Sequence, residues 1–214
     1  MRRADPPVAS PPRTWFARPA AVVARDLIGC ALVVDADTPD RVVARIVETE
    51  AYEGRDDPAS HAYRGPTPRS AVMFGPAAHL YVYFTYGMHH CANVVTDADG
   101  VAGAVLLRAA SVEEGLTVVA SRRGAGITSA ALLRGPGNLC RGLGITRSDD
   151  GIDLLAPASR VCIEPRTGDP PVTVSARIGI RVAADRPLRF TWLGDPAVSR
   201  PPVRRLGDKK KGPD

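Results

Sequence analysis

Short alternating or apolar runs, each closed by turn residues, dominate this chain and restrict it to folds built on an antiparallel sheet. "CALVVDA" and "RVVARIVETEAY" read as strands joined by the turn "DTPD". "HLYVYF" and "HHCANVVT" read as a hairpin across "TYGM", and "GAVLLRAA" as a further strand. "RVCIEP", "PVTVSARIGI" and "PLRFTW" are strand-like. Helices are few and short. "RPAAVVARDLIGC" has Pro19 near its first turn and Gly29 near its end. "TPRSAVMF" offers Thr67 as an N-cap with Pro68 at the first helical position. In "SVEEGLTVVASRR", Ser111 and Glu114 stand in capping-box register and arginines fill the last turn. "GPGNLCRGLGI" is a Gly-bounded short helix. This order predicts a single α+β domain around a curved, mostly antiparallel sheet, spanning residues 17–196. Residues 1–16, with prolines at 6, 7, 11 and 12, and the basic, Pro-rich residues 197–214 are expected to be disordered.

No apolar run reaches membrane-spanning length, and "MRRADPPVASPPRTWF" lacks the apolar core of a secretory signal, so a cytoplasmic location and no membrane partner are expected. Cys30, Cys91, Cys140 and Cys162 lie far apart with no CxxC pair, as suits reduced, mostly buried thiols. The formal charge of +5 and pI near 9.3 suit a polyanionic partner. The basic residues are 25 arginines and only three lysines, Lys209, Lys210 and Lys211. A GC-rich genome produces that bias without function. Its chemical consequence is that residues 1–208 offer no lysine amine for Schiff-base chemistry.

The five tyrosines and four histidines of the chain all fall between Tyr52 and His90. Strand alternation puts Glu48, Glu50 and Tyr52 on one face, and Tyr81 and Tyr83 on one face of the next strand. A solvated strand edge with a half-packed ring is the plainer reading of the first group, and core packing with a satisfied hydroxyl that of the second. Tyr86, at the hairpin turn, is harder to explain as core. Rings beside a carboxylate in a basic protein point to a site that stacks on nucleobases. A protein acting on a base in a duplex must extrude it and fill the gap, and a hairpin tip suits the filler. The residues alone leave a non-catalytic nucleic-acid-binding module and a base-acting enzyme both open. A metal hydrolase using His89 and Cys91 is a third reading, with no fixed ligand set visible.

"RIVETEAY", "SHAYRGPTPRSAVMF", "HLYVYFTYGMHHCANVV", "VLLRA", "EG" and "GPGNLC" closely resemble, in order and spacing, the alkyladenine (3-methyladenine) DNA glycosylase family in its bacterial form. The resemblance runs from about Ala17 to Trp192. Ser70 stands where bacterial members tend to have Asn, and Ala77 and Ala78 where they tend to have Pro-Gly; neither site concerns the chemistry. The resemblance implies a mixed α/β fold with a protruding, DNA-inserting hairpin, and a monomer acting on double-stranded DNA that contains damaged purines. Carried over residue by residue, Glu50 resembles the general base that activates water. Tyr52 and Tyr83 resemble the rings of the base pocket, with His61 at the edge of the flipped base. Asn93 resembles the residue that disfavours guanine's exocyclic amine, Arg108 an arginine near the attacking water and sugar-phosphate, and Tyr86 the intercalating residue. No cofactor or metal is expected. One carboxylate suffices for an alkylated purine, whose positive charge makes it leave readily. Stacking of an electron-poor base on tyrosine would add roughly 0.5–2 kcal/mol. Glu48 is expected to be structural and paired with an arginine.

Overall fold

The computed structural model describes residues 10–85 and 87–199. Eight strands form one curled, antiparallel sheet: β1 (Ala31–Val34), β2 (Val42–Tyr52), β3 (Leu80–Thr85), β4 (His89–Thr96), β5 (Gly103–Glu114), β6 (Val161–Glu164), β7 (Val172–Ser175) and β8 (Arg189–Trp192). Their order is β3-β4-β5-β2-β1-β6, with β8 joining β2 to β7. Strand β2 is the axis. It pairs with β5 along its length, with β1 through Val42–Arg45, and with β8 through Glu48–Glu50. A strand paired on both edges and covered on both faces is apolar throughout, and β2 is buried at nearly every position. The expected α+β class and curved antiparallel sheet are therefore what the chain forms, and β3 and β4 pair as the hairpin read from the sequence.

Four α-helices accompany the sheet: α1 (Arg13–Phe16), α2 (Ala20–Asp26), α3 (Leu116–Arg123) and α4 (Pro136–Leu143). Helix α2 lies against β2, where Thr49 Oγ1 donates to the Ala24 carbonyl at 2.8 Å. Helix α4 carries the strongest apolar face, burying Leu139, Cys140 and Leu143 in the main core. Cys30, Cys91 and Cys140 are buried and Cys162 is half-buried, all as free thiols. No described helix is long and apolar enough to cross a membrane.

Three local expectations are corrected. Ser111 and Glu114 do not cap a helix. They continue β5, opposite Arg45 and Val43, and Ser111 Oγ donates to Asp195 instead. Pairing with the central strand outweighs a local cap, and the turn into α3 falls at Gly115, whose φ of +77° and 2.4 Å approach of any Cβ to the Arg41 carbonyl require glycine. "TPRSAVMF" forms a hydroxyl-linked turn between Thr67 and Ser70, then a single 3₁₀ turn, Ala71–Phe74, not an α-helix. "PVTVSARIGI" is strand only over Val172–Ser175 and then leaves the ladder.

The ordered body also extends past both expected limits. Arg13–Phe16 is helical because Phe16 is wholly buried and Arg13 pairs with Asp153 at 2.7 Å. At the other end Ala197 is buried against Val47 and Ala109, and Ser199 is bonded into the sheet. The remaining expected-disordered positions, 1–9 and 200–214, lie outside the described residues, as does Tyr86.

Candidate active site

Alternation along β2 turns Glu48 and Glu50 to the same side, and both carboxylates are wholly buried. The β2–β5 register skips Val47 on one strand and Arg108 on the other. Such irregularities re-aim a side chain, and here Arg108 reaches between the two acids. Its Nε donates to Glu48 Oε1 at 2.8 Å, and its Nη1 lies 3.3 Å from Glu50 Oε2. Glu50 Oε1 accepts the backbone N–H of Ile178 at 2.7 Å, and Oε2 accepts the Tyr52 hydroxyl at 2.9 Å.

The two carboxylates are held in opposite states. Burial pushes both upward. In Glu48 this is outweighed by Arg108, by Arg189 and by the Ser199 amide, so its pKa falls below the ordinary value. In Glu50 Arg108, the Ile178 amide and Tyr52 only partly offset burial, and the pKa stays raised. Two acids with divergent pKa values on one strand face divide into a fixed charge and a proton acceptor.

Tyr52, the hydrogen-bond partner of Glu50, forms part of the wall of a small cavity of about 100 Å³, lined also by His61, Met73, Tyr81, Tyr83 and Asn93, among others. That is well below the roughly 300–1,000 Å³ of sites for drug-sized ligands, and it suits one flat group. His61 and Tyr83 meet edge to face at 4.5 Å, and one His61 nitrogen bonds the Tyr81 hydroxyl at 2.9 Å. Burial, with Arg69 nearby, lowers the His61 pKa, so the imidazole is neutral at pH 7 and its other nitrogen is left for a ligand. Asn93 Nδ2 donates to the Tyr81 carbonyl at 3.0 Å, which fixes the amide at the cavity wall.

Behind Tyr52 sits a second buried ion pair. The Arg177 guanidinium lies 4.7 Å from the Tyr52 ring centroid, donates to the Ala51 carbonyl, and forks onto Asp57, with Nη2 2.9 Å from Oδ1. Both side chains are fully buried. At the mouth Arg69 lies 5.1 Å from the Tyr83 centroid.

The structure thus brings Tyr52, His61, Tyr83 and Asn93 together around one cavity, with Glu50 bonded to Tyr52 and Arg108 paired with Glu50, and it shows Glu48 paired with Arg108 and Arg189 as expected. Tyr86 lies outside the described residues. His89 and Cys91 belong to no group of three or more possible metal ligands among the described residues. Sequence reasoning missed Arg177, Ile178, Arg189 and Ser199. A strong hint for the first was an arginine embedded in the apolar "SARIGI".

The site is a buried carboxylate bonded to a tyrosine that lines an aromatic slot on a curled antiparallel sheet, and sequence comparison identifies the family that carries it. Residues 14–196 match the sequence model of methylpurine-DNA glycosylase, and the chain belongs to that family. It is 50% identical over 182 residues to a protein of Mycobacterium sp. (strain KMS), covering 82% of this chain and 86% of the relative. It is 44% identical over 211 residues to one of Burkholderia lata, covering 96% and 100%. Both relatives carry the name "Putative 3-methyladenine DNA glycosylase".

Proposed function

We propose that this protein removes alkylated purines, and deaminated purines with them, from double-stranded DNA as the first step of base excision repair. It flips the damaged nucleotide, receives the base in the cavity among Tyr52, His61 and Tyr83, and hydrolyses the N-glycosidic bond with Glu50 as general base. The observation that carries this reading is Glu50 itself: wholly buried, raised in pKa, and hydrogen-bonded to Tyr52, which lines a slot for one flat ring.

Each step has a residue suited to it. Three donors fix the Glu50 carboxylate, the Ile178 amide, the Tyr52 hydroxyl and Arg108. They leave about one of its roughly four acceptor positions for a water. The raised pKa makes the carboxylate a stronger base than an exposed glutamate. Its charge, with that of Glu48 behind it, stabilises the oxocarbenium-like sugar that forms as the base departs. Arg108 keeps the two acids from repelling each other. His61 meets the base edge with a neutral nitrogen, and Asn93 disfavours a guanine amine at the wall. Tyr86 takes the place of the extruded base in the stack. Flipping costs a few kcal/mol, least for a damaged base. Water is the nucleophile throughout, so an abasic site is left and the strand is not cut. The body acts as a monomer and needs no cofactor.

The test is Glu50→Gln assayed on duplexes that each carry one lesion. Gln keeps the shape and loses the proton acceptor, so base release should stop while lesion binding persists. Near-normal release by a folded Gln variant would reject Glu50 as the base. Retained lesion binding with no release from any lesion by the unmodified chain would favour a non-catalytic binding module instead.

A further inference from the structure

Glu48 accepts four hydrogen bonds, yet it lines none of the described pockets. Its Oε1 accepts from Arg108 Nε and Arg189 Nε, both at 2.8 Å, and from Ser199 Oγ at 2.7 Å. Its Oε2 accepts the Ser199 backbone N–H at 2.7 Å, and that is its sole hydrogen-bond donor among the described residues. Arg189 Nη2 in turn donates to the Ser199 carbonyl at 2.7 Å, so the arginine clamps residue and acid together. Ser199 is held there by ordinary packing: Ala197 is buried against Val47 and Ala109, and Ala197 N–H and Ser111 Oγ both bond Asp195. The family match ends at residue 196.

We propose that Ser199 is a positioning residue of the active site, whose amide and hydroxyl satisfy Glu48 so that Arg108 remains shared with Glu50. A buried carboxylate oxygen does not stay without a donor. With the Ser199 donors gone, Arg108 and Arg189 are the cations left to compensate Glu48, and an Arg108 drawn further toward Glu48 leaves Glu50. Glu50 then loses its main counter-charge while its burial and the repulsion of Glu48 persist. The groups that bear on Glu50 are Glu48 and Tyr52 on its own strand, Arg108 on β5, and Arg177 and the Ile178 amide from the segment after β7. Of these, only Arg108 is ion-paired with both carboxylates. Ser199 thus acts on the reaction at two removes, through Glu48 and Arg108.

This rests on Glu50 being the general base, and the experiment separates the two. In the full chain, Ser199→Pro removes both donors, Ser199→Ala removes the hydroxyl alone, and Ser199→Thr keeps both. Single-turnover base release is measured against pH for each, with Glu50→Gln alongside, and the Glu50 side-chain carboxyl is titrated by ¹³C NMR. Ser199→Pro should move the acid limb of the rate profile and the Glu50 titration upward by about one unit, roughly a tenfold loss of rate below the limb, with a smaller loss on the plateau. Ser199→Ala should move them less, and Ser199→Thr should restore both. A folded Ser199→Pro with an unmoved limb and titration overturns the inference, as does a loss equal at every pH. If the Pro variant does not fold, Ser199→Ala decides by the same two readouts. Should Glu50→Gln remain active, the general-base reading falls, while the NMR titration still reports whether Ser199 governs Glu50.

Discussion

The pair beneath Tyr52 makes a sharp quantitative prediction. Asp57 and Arg177 have fully buried side chains. The carboxylate holds Arg177 by two hydrogen bonds and also accepts the Ala59 and Glu53 amides. Asp57→Ala leaves a buried guanidinium with no carboxylate bonded to it among the described residues. Removing one partner of such a pair costs about 3–5 kcal/mol. For a domain of this size each kcal/mol lowers the melting temperature by about 2–4 °C, which gives a fall of about 6–20 °C by calorimetry. Adding Arg177→Met should restore more than half of the loss, because an apolar replacement for the whole pair is often neutral. It should not restore base release, since Arg177 also supports Tyr52 and stands next to the Ile178 amide. The sign of the pH dependence follows from Asp57. Burial raises its pKa, but the hydrogen bonds from Arg177 and the Ala59 amide outweigh burial and leave it lowered. Its contribution is therefore complete above the unfolded pKa near 3.9 and lost as pH falls through the lower folded value. Below about pH 4 the wild type should lose stability faster than Asp57→Ala. A fall under about 2 °C at neutral pH, or a double variant no more stable than the single one, would refute this account of the pair.

If Glu50 is the general base as proposed, base release should rise with pH along a limb centred above the ordinary glutamate value of about 4.3, because its pKa is raised. A profile already flat from pH 4 upward would contradict that. Tyr86→Ala should weaken binding to lesion duplex by about 1–3 kcal/mol, the scale of base–aromatic stacking, with little change in melting temperature. Unchanged affinity in a titration would assign the wedge to another residue. Borohydride added during turnover should trap no protein–DNA adduct, since residues 1–208 contain no lysine to form an imine. A trapped adduct, or strand cleavage at the rate of base release, would overturn hydrolysis by water.

Much of the site was legible because side-chain direction in a strand is fixed by sequence parity. Glu48, Glu50 and Tyr52 alternate with Thr49 and Ala51, so finding the strand was enough to turn both acids to Arg108 and to set Tyr52 beside Glu50. The hairpin was legible for the same reason, with Gly87 at the turn. What escaped depends on tertiary contacts without a local signature. The Ile178 donor is a backbone N–H, which nearly every residue has; only its departure from the β7 ladder frees it for Glu50. Ser199 sits in a segment whose proline and arginine content reads as solvent-exposed, and nothing local indicates a carboxylate 151 residues away. The Ser111–Glu114 spacing misled in the opposite direction: the motif was present, but the central strand claimed those residues first.

Under the proposed function, the cation behind Tyr52 would bear on how a damaged base is told from a normal one. Arg177 covers one face of that ring, and Arg69 lies over Tyr83. A base entering the cavity meets tyrosines already polarised by the protein's own guanidinium groups. A positively charged purine then gains less over a neutral one than bare rings would give it. Discrimination shifts from how tightly a base is held to how fast its bond breaks. Affinities for different purines should then lie close together while their release rates spread widely, and a normal base entering the slot should return to the helix because an uncharged leaving group departs slowly.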